Sequence, residues 1–253
     1  MRIAVSDYDG TFCYNGSVKR EDIDAVTVWR KAGNLFGLAT GRDLSLALHE
    51  LKRWEIPFDF LVCMNGAALY DGNLRLLKSV DIPADLIARV LTHPAAKASM
   101  HYQLCTGGIN KIYIRDEKSY FRSLGLRYHE ITYQEALGVS EVQQISLAYA
   151  SDADYHRNAE VLRAEFQNEL SLNLNGYFVD INKKGVDKLS GLMDLIAIQG
   201  WPSDGLLAIG DGENDISMIH HFKGYCVGNA PSEVVKAAHR VYHNVGDMLI
   251  QLL

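Results

Sequence analysis

Residues 2–11 read RIAVSDYDGT: a short apolar run, Arg2 to Ser6, cut off by a cluster of acidic and turn-forming residues. That pattern predicts a buried strand ending at the edge of a sheet. Working outward, Glu21 to Lys31 carries Ile23, Val26 and Trp29 at helical spacing, and Leu35 to Ala39 is a second apolar run. Leu44 to Trp54 then reads as a helix and Phe58 to Met64 as a strand. A βαβαβ opening of this kind implies a parallel sheet with right-handed crossovers.

The rhythm changes after Asn65. Ala67 to Leu77 carries Asp71-Gly72, a hairpin turn signal between short apolar runs. From about Asp81 to Tyr177 the spacing predicts helices over Ala84 to Leu91, Glu117 to Leu124 and Asp154 to Asn168. Strands are predicted over Met100 to Leu104, Lys111 to Ile114, Gln143 to Ala150, Ser171 to Leu174 and Tyr177 to Ile181. Mixed elements without long crossovers suit a separate α+β unit. Regular alternation resumes with helix Val186 to Ile198, strand Gly205 to Ile209, helix Asp215 to His221, strand Gly224 to Val227, helix Ser232 to His239 and a last helix near Asp247. The expected organisation is therefore a main domain split in sequence, 1–80 and 181–253, around an inserted domain at 81–180.

With 48% hydrophobic and 22% charged residues over 253 positions, the chain can bury a core without disulfides or structural metals. A net charge of −6 and the lack of a Lys/Arg cluster argue against nucleic acid or an anionic membrane as the main partner. Cys13, Cys63, Cys105 and Cys226 are scattered singly, as reduced thiols in a cytoplasmic protein would be. The first ten residues are too short and acidic for a secretory signal, and no run of eighteen apolar residues occurs. Asn15-Gly16-Ser17 matches the glycosylation pattern, which means nothing without export.

Open parallel sheets bind ligands beyond the carboxyl ends of their strands. After the first strand, Asp7 and Asp9 stand two apart, so an extended chain points both carboxylates into one crevice while Tyr8 points elsewhere. After the second, Thr40-Gly41-Arg42 offers a hydroxyl, main-chain N–H groups and a guanidinium at a helix start, a plausible anion site. After Gly205 to Ile209 comes Gly210-Asp211-Gly212-Glu213-Asn214-Asp215. An isolated D-x-D is more often a solvated turn, and Thr40-Gly41-Arg42 alone would be a helix cap. If the segments converge, Asp7, Asp9, Asp211 and Asp215 share one pocket, and four carboxylates there require a counter-ion. Oxygen-only donors select a hard divalent cation, Mg²⁺. Lys184 and Lys188 supply candidate positive charge, although a lone lysine is ordinarily a surface residue, the reading kept for Lys183 and Lys184. Gly210-Asp211-Gly212 lacks the third glycine of a dinucleotide loop, and no G-x-x-x-x-G-K-[ST] occurs.

These motifs together resemble the haloacid dehalogenase (HAD) superfamily, specifically its Cof-like phosphatases. DYDGT corresponds to the family's D-x-D-G-T, ATGR to its second motif, GVDK at 185–188 to its lysine motif and GDGENDISM at 210–218 to its G-D-x-x-N-D. MNGA at 64–67 and GNA at 228–230 also match. The resemblance implies a doubly wound α/β core with an inserted α+β cap after the third core strand. It implies Asp7 as nucleophile and Asp9 as general acid/base. Thr40, Gly41 and Lys188 would hold phosphoryl oxygens, with Asn214 on phosphate or metal water. Mg²⁺ would be held by Asp7, the Asp9 main-chain carbonyl, Asp211 and Asp215, and Arg42 and Asn65 would lie on the substrate side. Departures are Ser6, where the family usually has a large apolar residue, and Phe12 in place of Leu.

The expected activity is Mg²⁺-dependent hydrolysis of a small phosphomonoester, a sugar phosphate by family implication, through an aspartyl-phosphate on Asp7. The expected partner is a small phosphorylated metabolite, in the cytoplasm, with no nucleic acid or membrane. A sugar phosphomutase and a non-catalytic phospho-ligand sensor are the alternatives. In the insertion, His101, Tyr102, Lys111 and Arg115 are expected to face solvent rather than substrate.

Overall fold

A computed structural model describes residues 1–122 and 128–253. Ile3–Ser6 is a strand buried along its whole length, paired in parallel with Leu207–Gly210 on one side and Leu35–Ala39 on the other. Its consecutive buried residues Ile3, Ala4 and Val5 reflect a sheet covered on both faces, where no alternation is needed. The eight-stranded sheet runs Arg240–Tyr242, Tyr225–Val227, Leu207–Gly210, Ile3–Ser6, Leu35–Ala39, Phe60–Cys63, Ala68–Asp71, Leu76–Ser79. Every pairing from Arg240–Tyr242 to Phe60–Cys63 is parallel, and Ala68–Asp71 then returns antiparallel. The order reverses at Ile3–Ser6, the topological switch point of a doubly wound fold, and doubly wound sheets offer ligands the crevice beyond the carboxyl ends at that point.

The chain divides into two compact units, residues 1–42, 47–78 and 187–253 in one, and 43–46 and 79–186 in the other. The first has a core of Ile3, Val5, Phe60, Val62, Leu192 and Leu195 with their neighbours. Helix Lys188–Gln199 opens with a capping box: Ser190 N donates to Asp187 Oδ1 at 2.7 Å, and Asp187 N donates to Ser190 Oγ at 2.9 Å. That cap fixes where the helix begins, and so where Lys188 stands. The helix packs against the turn at Gly66, which has φ +102°; a Cβ on Gly191 would fall 2.6 Å from Gly66 Cα.

The second unit is built on a six-stranded sheet, His129–Glu130, Lys111–Ile114, His101–Cys105, Gln144–Ala148, Phe178–Lys183, Leu170–Asn175. Its pairings are antiparallel except that of His129–Glu130 with Lys111–Ile114. Helices Ala84–Thr92 and Asp152–Phe166 contribute Val90, Leu91, Leu162 and Phe166 to its core beside Leu104 and Ile145. This is an α+β arrangement. The helix expected over 117–124 is, in its described part, only the 3₁₀ turn Tyr120–Arg122, and residues 123 and 124 lie outside the described residues.

Several details differ from the sequence expectation. Asn15-Gly16 is the turn of a small hairpin between Cys13–Tyr14 and Ser17–Val18, with φ 51° and 72°, the positive-φ pair that a two-residue hairpin turn requires. Strand Arg240–Tyr242 is too short to announce itself by alternation. His101 and Tyr102 do not face solvent: both are fully buried. Ser119 Oγ lies 2.9 Å from His101 Nδ1, and Tyr102 donates its hydroxyl to Leu91 O at 3.2 Å. The His101 Nδ1 and the Tyr102 hydroxyl each find a partner inside, which helps the apolar body of the ring be buried. Lys111 is half-buried and Arg115 exposed. The four cysteines are buried free thiols. Among the described residues no helix is long and apolar enough to cross a membrane.

Two outcomes follow from this packing. Gly191→Ala adds a methyl where main chain already stands and is expected to cost about 1–3 kcal/mol, outweighing alanine's better helix propensity; a urea midpoint unchanged or raised would contradict the close approach. Burial holds the His101 imidazole down to about 4. The unfolded chain therefore takes up the proton first, and stability is lost as pH falls from about 6.5 through 4, by up to about 3 kcal/mol. Urea unfolding of wild type and His101→Gln at pH 7 and 4.5 checks this: the variant should lose less across the interval, and equal losses would refute it.

Candidate active site

The parallel register sets the site. Ser6 is level with Ile209 on one neighbour and with Leu38 on the other, so the chain leaves three adjacent strands at one height. Asp7 N donates to Ile209 O at 2.9 Å, Thr40 N to Val62 O at 2.8 Å and Asn65 N to Thr40 O at 3.0 Å, which extends the alignment past the strand ends. Ser6, the departure from a large apolar residue, is buried and donates its hydroxyl to Asp7 O at 2.6 Å.

Into this edge the capped helix brings Lys188, whose side chain is 1% exposed. Its ammonium donates to Asp7 Oδ1 and to Asp215 Oδ1, each at 2.6 Å. Asp215 uses its other oxygen to accept from Asp211 N at 3.1 Å and Gly212 N at 2.9 Å, tying down its own loop. Asp211 Oδ1 accepts from Thr11 Oγ1 at 2.6 Å. Gly10 is required here: it has φ +88°, and a Cβ would lie 2.2 Å from Asp211 Oδ2.

Oxygens of Asp7, Asp211 and Asp215 lie within 4.8 Å of one another. Burial works against the Lys188 charge, but Asp215 and Asp7 outweigh it and hold the ammonium above the ordinary lysine range. Burial raises the Asp7 carboxyl, opposed by Lys188 and reinforced by Asp215 and Asp9. Asp211 is likewise raised, by burial first and then by Asp215, against the hydrogen bond from Thr11. In the Lys188–Asp7 pair the 2.6 Å contact favours the charged partners. One lysine against three clustered carboxylates leaves the site short of positive charge, and the donors are all oxygen, which fits a hard divalent cation.

The fourth carboxylate does not join that cluster. Asp9 turns to Arg42, which grips it through Nε–H to Oδ2 at 2.7 Å and Nη2–H to Oδ1 at 2.8 Å. A planar guanidinium matches a carboxylate edge to edge, and this pairing wins over a shared four-acid pocket. Tyr8 is buried and lies under the same guanidinium, its ring centroid 5.0 Å from Arg42 Cζ. Thr40 is buried and accepts from Arg42 N at 3.1 Å. It does not cap the following helix: Asp43 does, accepting from Ser45 N at 2.7 Å and Leu46 N at 3.1 Å. Leu44–Trp54 begins where the sequence placed it, and Gly41 and Arg42 precede it. Asn214 donates to Asn65 Oδ1 at 3.1 Å, and Asn65 is buried with φ 53°. Lys184 is exposed and donates to Gln167 O, and Lys183 is exposed. Asp43 and Glu50, which accepts from Tyr8 OH, were not signalled by the sequence because each is a single polar residue without a spacing pattern, whereas Thr11 closes the DYDGT motif.

The profile of the haloacid dehalogenase-like hydrolases matches residues 4–247. The chain is 25% identical to the pyridoxal phosphate phosphatase YbhA of Escherichia coli K12, covering all of this chain and 97% of that protein. It is 26% identical to the HMP-PP phosphatase of Serratia proteamaculans, over 90% of this chain and 84% of that one. Among solved structures, the HAD subclass IIB sugar phosphatase BT4131 superposes with a TM-score of 0.84 at 20% identity, covering 100% of this chain and 99% of its own.

Removing the central cation has a calculable consequence. Lys188→Met leaves Asp7 and Asp215 facing each other in a buried site, and the expected loss is about 3–5 kcal/mol at pH 7 in chelator. Without the ammonium the Asp7 carboxyl is raised further in the folded state, so the deficit should shrink as pH falls and it takes up a proton. Urea titrations at pH 7 and 5 measure it; a variant as stable as wild type at pH 7 would contradict the account.

Proposed function

This chain belongs to the haloacid dehalogenase-like hydrolase family and is a phosphatase of that family, and from that premise we propose that it hydrolyses a small phosphomonoester in two phosphoryl transfers through Asp7. The observation that carries the reading is the buried Lys188 ammonium, held at 2.6 Å from both Asp7 and Asp215 beside Asp211. A carboxylate held in place by a cation, at the switch point of a doubly wound sheet, suits nucleophilic attack on an incoming phosphorus.

In this reading the phosphoryl oxygens are held by the Lys188 ammonium, the Thr40 hydroxyl and the Gly41 N–H, with Asn214 beside them. An Asp7 oxygen attacks phosphorus, the bond from phosphorus to the ester oxygen breaks, and Asp9 gives its proton to the departing alkoxide. Asp9 then takes a proton from water as that water attacks the phosphoryl group on Asp7, releasing inorganic phosphate and restoring the carboxylate. Arg42 and Asn65 lie on the substrate side. Asp7, Asp211, Asp215 and the Asp9 main-chain carbonyl would hold Mg²⁺, which supplies charge stabilisation for the transferring phosphoryl group. Phosphoryl transfer depends on positioning and on charge, and these residues provide both.

The substrate class we favour is a sugar phosphate. Phosphorylated cofactors compete with it, because the E. coli relative is named for pyridoxal phosphate. A panel of both, compared by kcat/KM, ranks them.

The reaction is tested by phosphate release from p-nitrophenyl phosphate with Mg²⁺ and with EDTA, in wild type and Asp7→Asn. Turnover should require the metal and fall at least about a thousandfold in the variant. Undiminished turnover in Asp7→Asn, or rearrangement of a hexose phosphate without phosphate release, would overturn the proposal.

A further inference from the structure

We propose that Glu50 is a positioning residue for Asp9, acting through Arg42, and that its charge rather than its hydrogen bonding is what the site uses. The inference rests on the reading above that Asp9 protonates the leaving alkoxide.

The Asp9 side chain is 37% exposed, and Arg42 is what holds it, through both of its oxygens. A bidentate guanidinium fixes the plane of a carboxylate, but only if the guanidinium is itself fixed. Two contacts do that. The Tyr8 ring supports one face at 5.0 Å. Nη1 faces Glu50 Oε1 at 3.9 Å. A full hydrogen bond is not made at that distance, so the attraction is one of charge.

Glu50 is well placed to exert it. Its side chain is only 13% exposed. Oε2 accepts from Tyr8 OH at 2.9 Å and from Trp54 Nε1 at 3.1 Å, one helical turn along Leu44–Trp54. Both donors are neutral, so they orient the carboxylate without cancelling its charge. The cations within 4.0 Å among the described residues are Arg42 and the more exposed Arg53, each at 3.9 Å. Tyr8, which follows Asp7 and precedes Asp9, thus touches two members of the relay: its hydroxyl holds Glu50 and its ring supports Arg42.

A purely structural role for Glu50, as acceptor for Tyr8 and Trp54, makes different predictions. Glu50→Gln keeps an acceptor oxygen at the same reach and removes the charge. Glu50→Asp keeps the charge and shortens the reach. The readout is leaving-group dependence, because p-nitrophenolate departs without a proton and an alkoxide does not. Steady-state kcat and KM are measured on p-nitrophenyl phosphate and β-glycerophosphate for wild type, Glu50→Gln, Glu50→Asp and Asp9→Asn, with melting temperatures as a check on folding.

Asp9→Asn should lose about a hundredfold or more in kcat on β-glycerophosphate beyond its loss on p-nitrophenyl phosphate. Glu50→Gln should show the same split at about tenfold, in kcat rather than KM, with Glu50→Asp retaining more of the alkyl-ester rate. Equal losses on the two esters in Glu50→Gln, or a Glu50→Gln enzyme better than Glu50→Asp on β-glycerophosphate, would overturn the inference while the Asp9 split leaves the parent reading standing. An Asp9→Asn enzyme without the split would remove that reading and this inference with it.

Discussion

The Lys188 ammonium sits in the interior of the first unit with a carboxylate on either side, at 2.6 Å from each. A desolvated ammonium is tolerated only when opposite charge and hydrogen bonds replace its water, so Asp7 and Asp215 are conditions of its burial as much as users of its charge. Much of the surrounding architecture follows from delivering these three groups to one point. The capping box of Asp187 and Ser190 sets the first turn of the lysine helix. Gly66 and Gly191 let that helix approach the turn after Phe60–Cys63. The level register of Ile3–Ser6 with Leu207–Gly210 puts Asp7 beside the loop whose far end is Asp215.

The charge balance at this point also organises the chemistry. Three clustered carboxylates exceed what one lysine neutralises, and burial raises Asp7 and Asp211 together. Asp9 is kept out of that competition by its own arginine. Two acids two residues apart thus have separate electrostatic surroundings, one against a buried lysine and one on a half-buried guanidinium.

What the sequence made legible was whatever repeats or ends a strand. Asp7, Thr40, Asp211 and Asp215 are visible because parallel strands end at a common edge, and an apolar run followed by acids marks that edge. Lys188 became distinguishable from Lys183 and Lys184 only through the motif resemblance, since nothing in a lone lysine reports burial. Pairwise choices were not legible. Asp9 and Arg42 are far apart in the chain, and their bidentate contact depends on side-chain geometry. Asp43, not Thr40, caps the helix because the helix begins after Arg42. His101 and Tyr102 were misjudged for a related reason: each is polar by type, yet each buries its ring, with an internal partner for His101 Nδ1 and for the Tyr102 hydroxyl. Asn15-Gly16 carried a usable hairpin signal, but its flanking strands of two residues are too short for alternation to point to it.

The central claim is that phosphorus is bound to Asp7 between two transfers. Acid quenching during turnover of a phosphomonoester, followed by peptide mass analysis, tests it most directly. The account predicts a phosphoryl increment confined to the peptide containing Asp7, present during turnover and gone once substrate is exhausted. Sustained phosphate release with no phosphoryl group on the protein at any quench time, or with the increment on another residue, would contradict it.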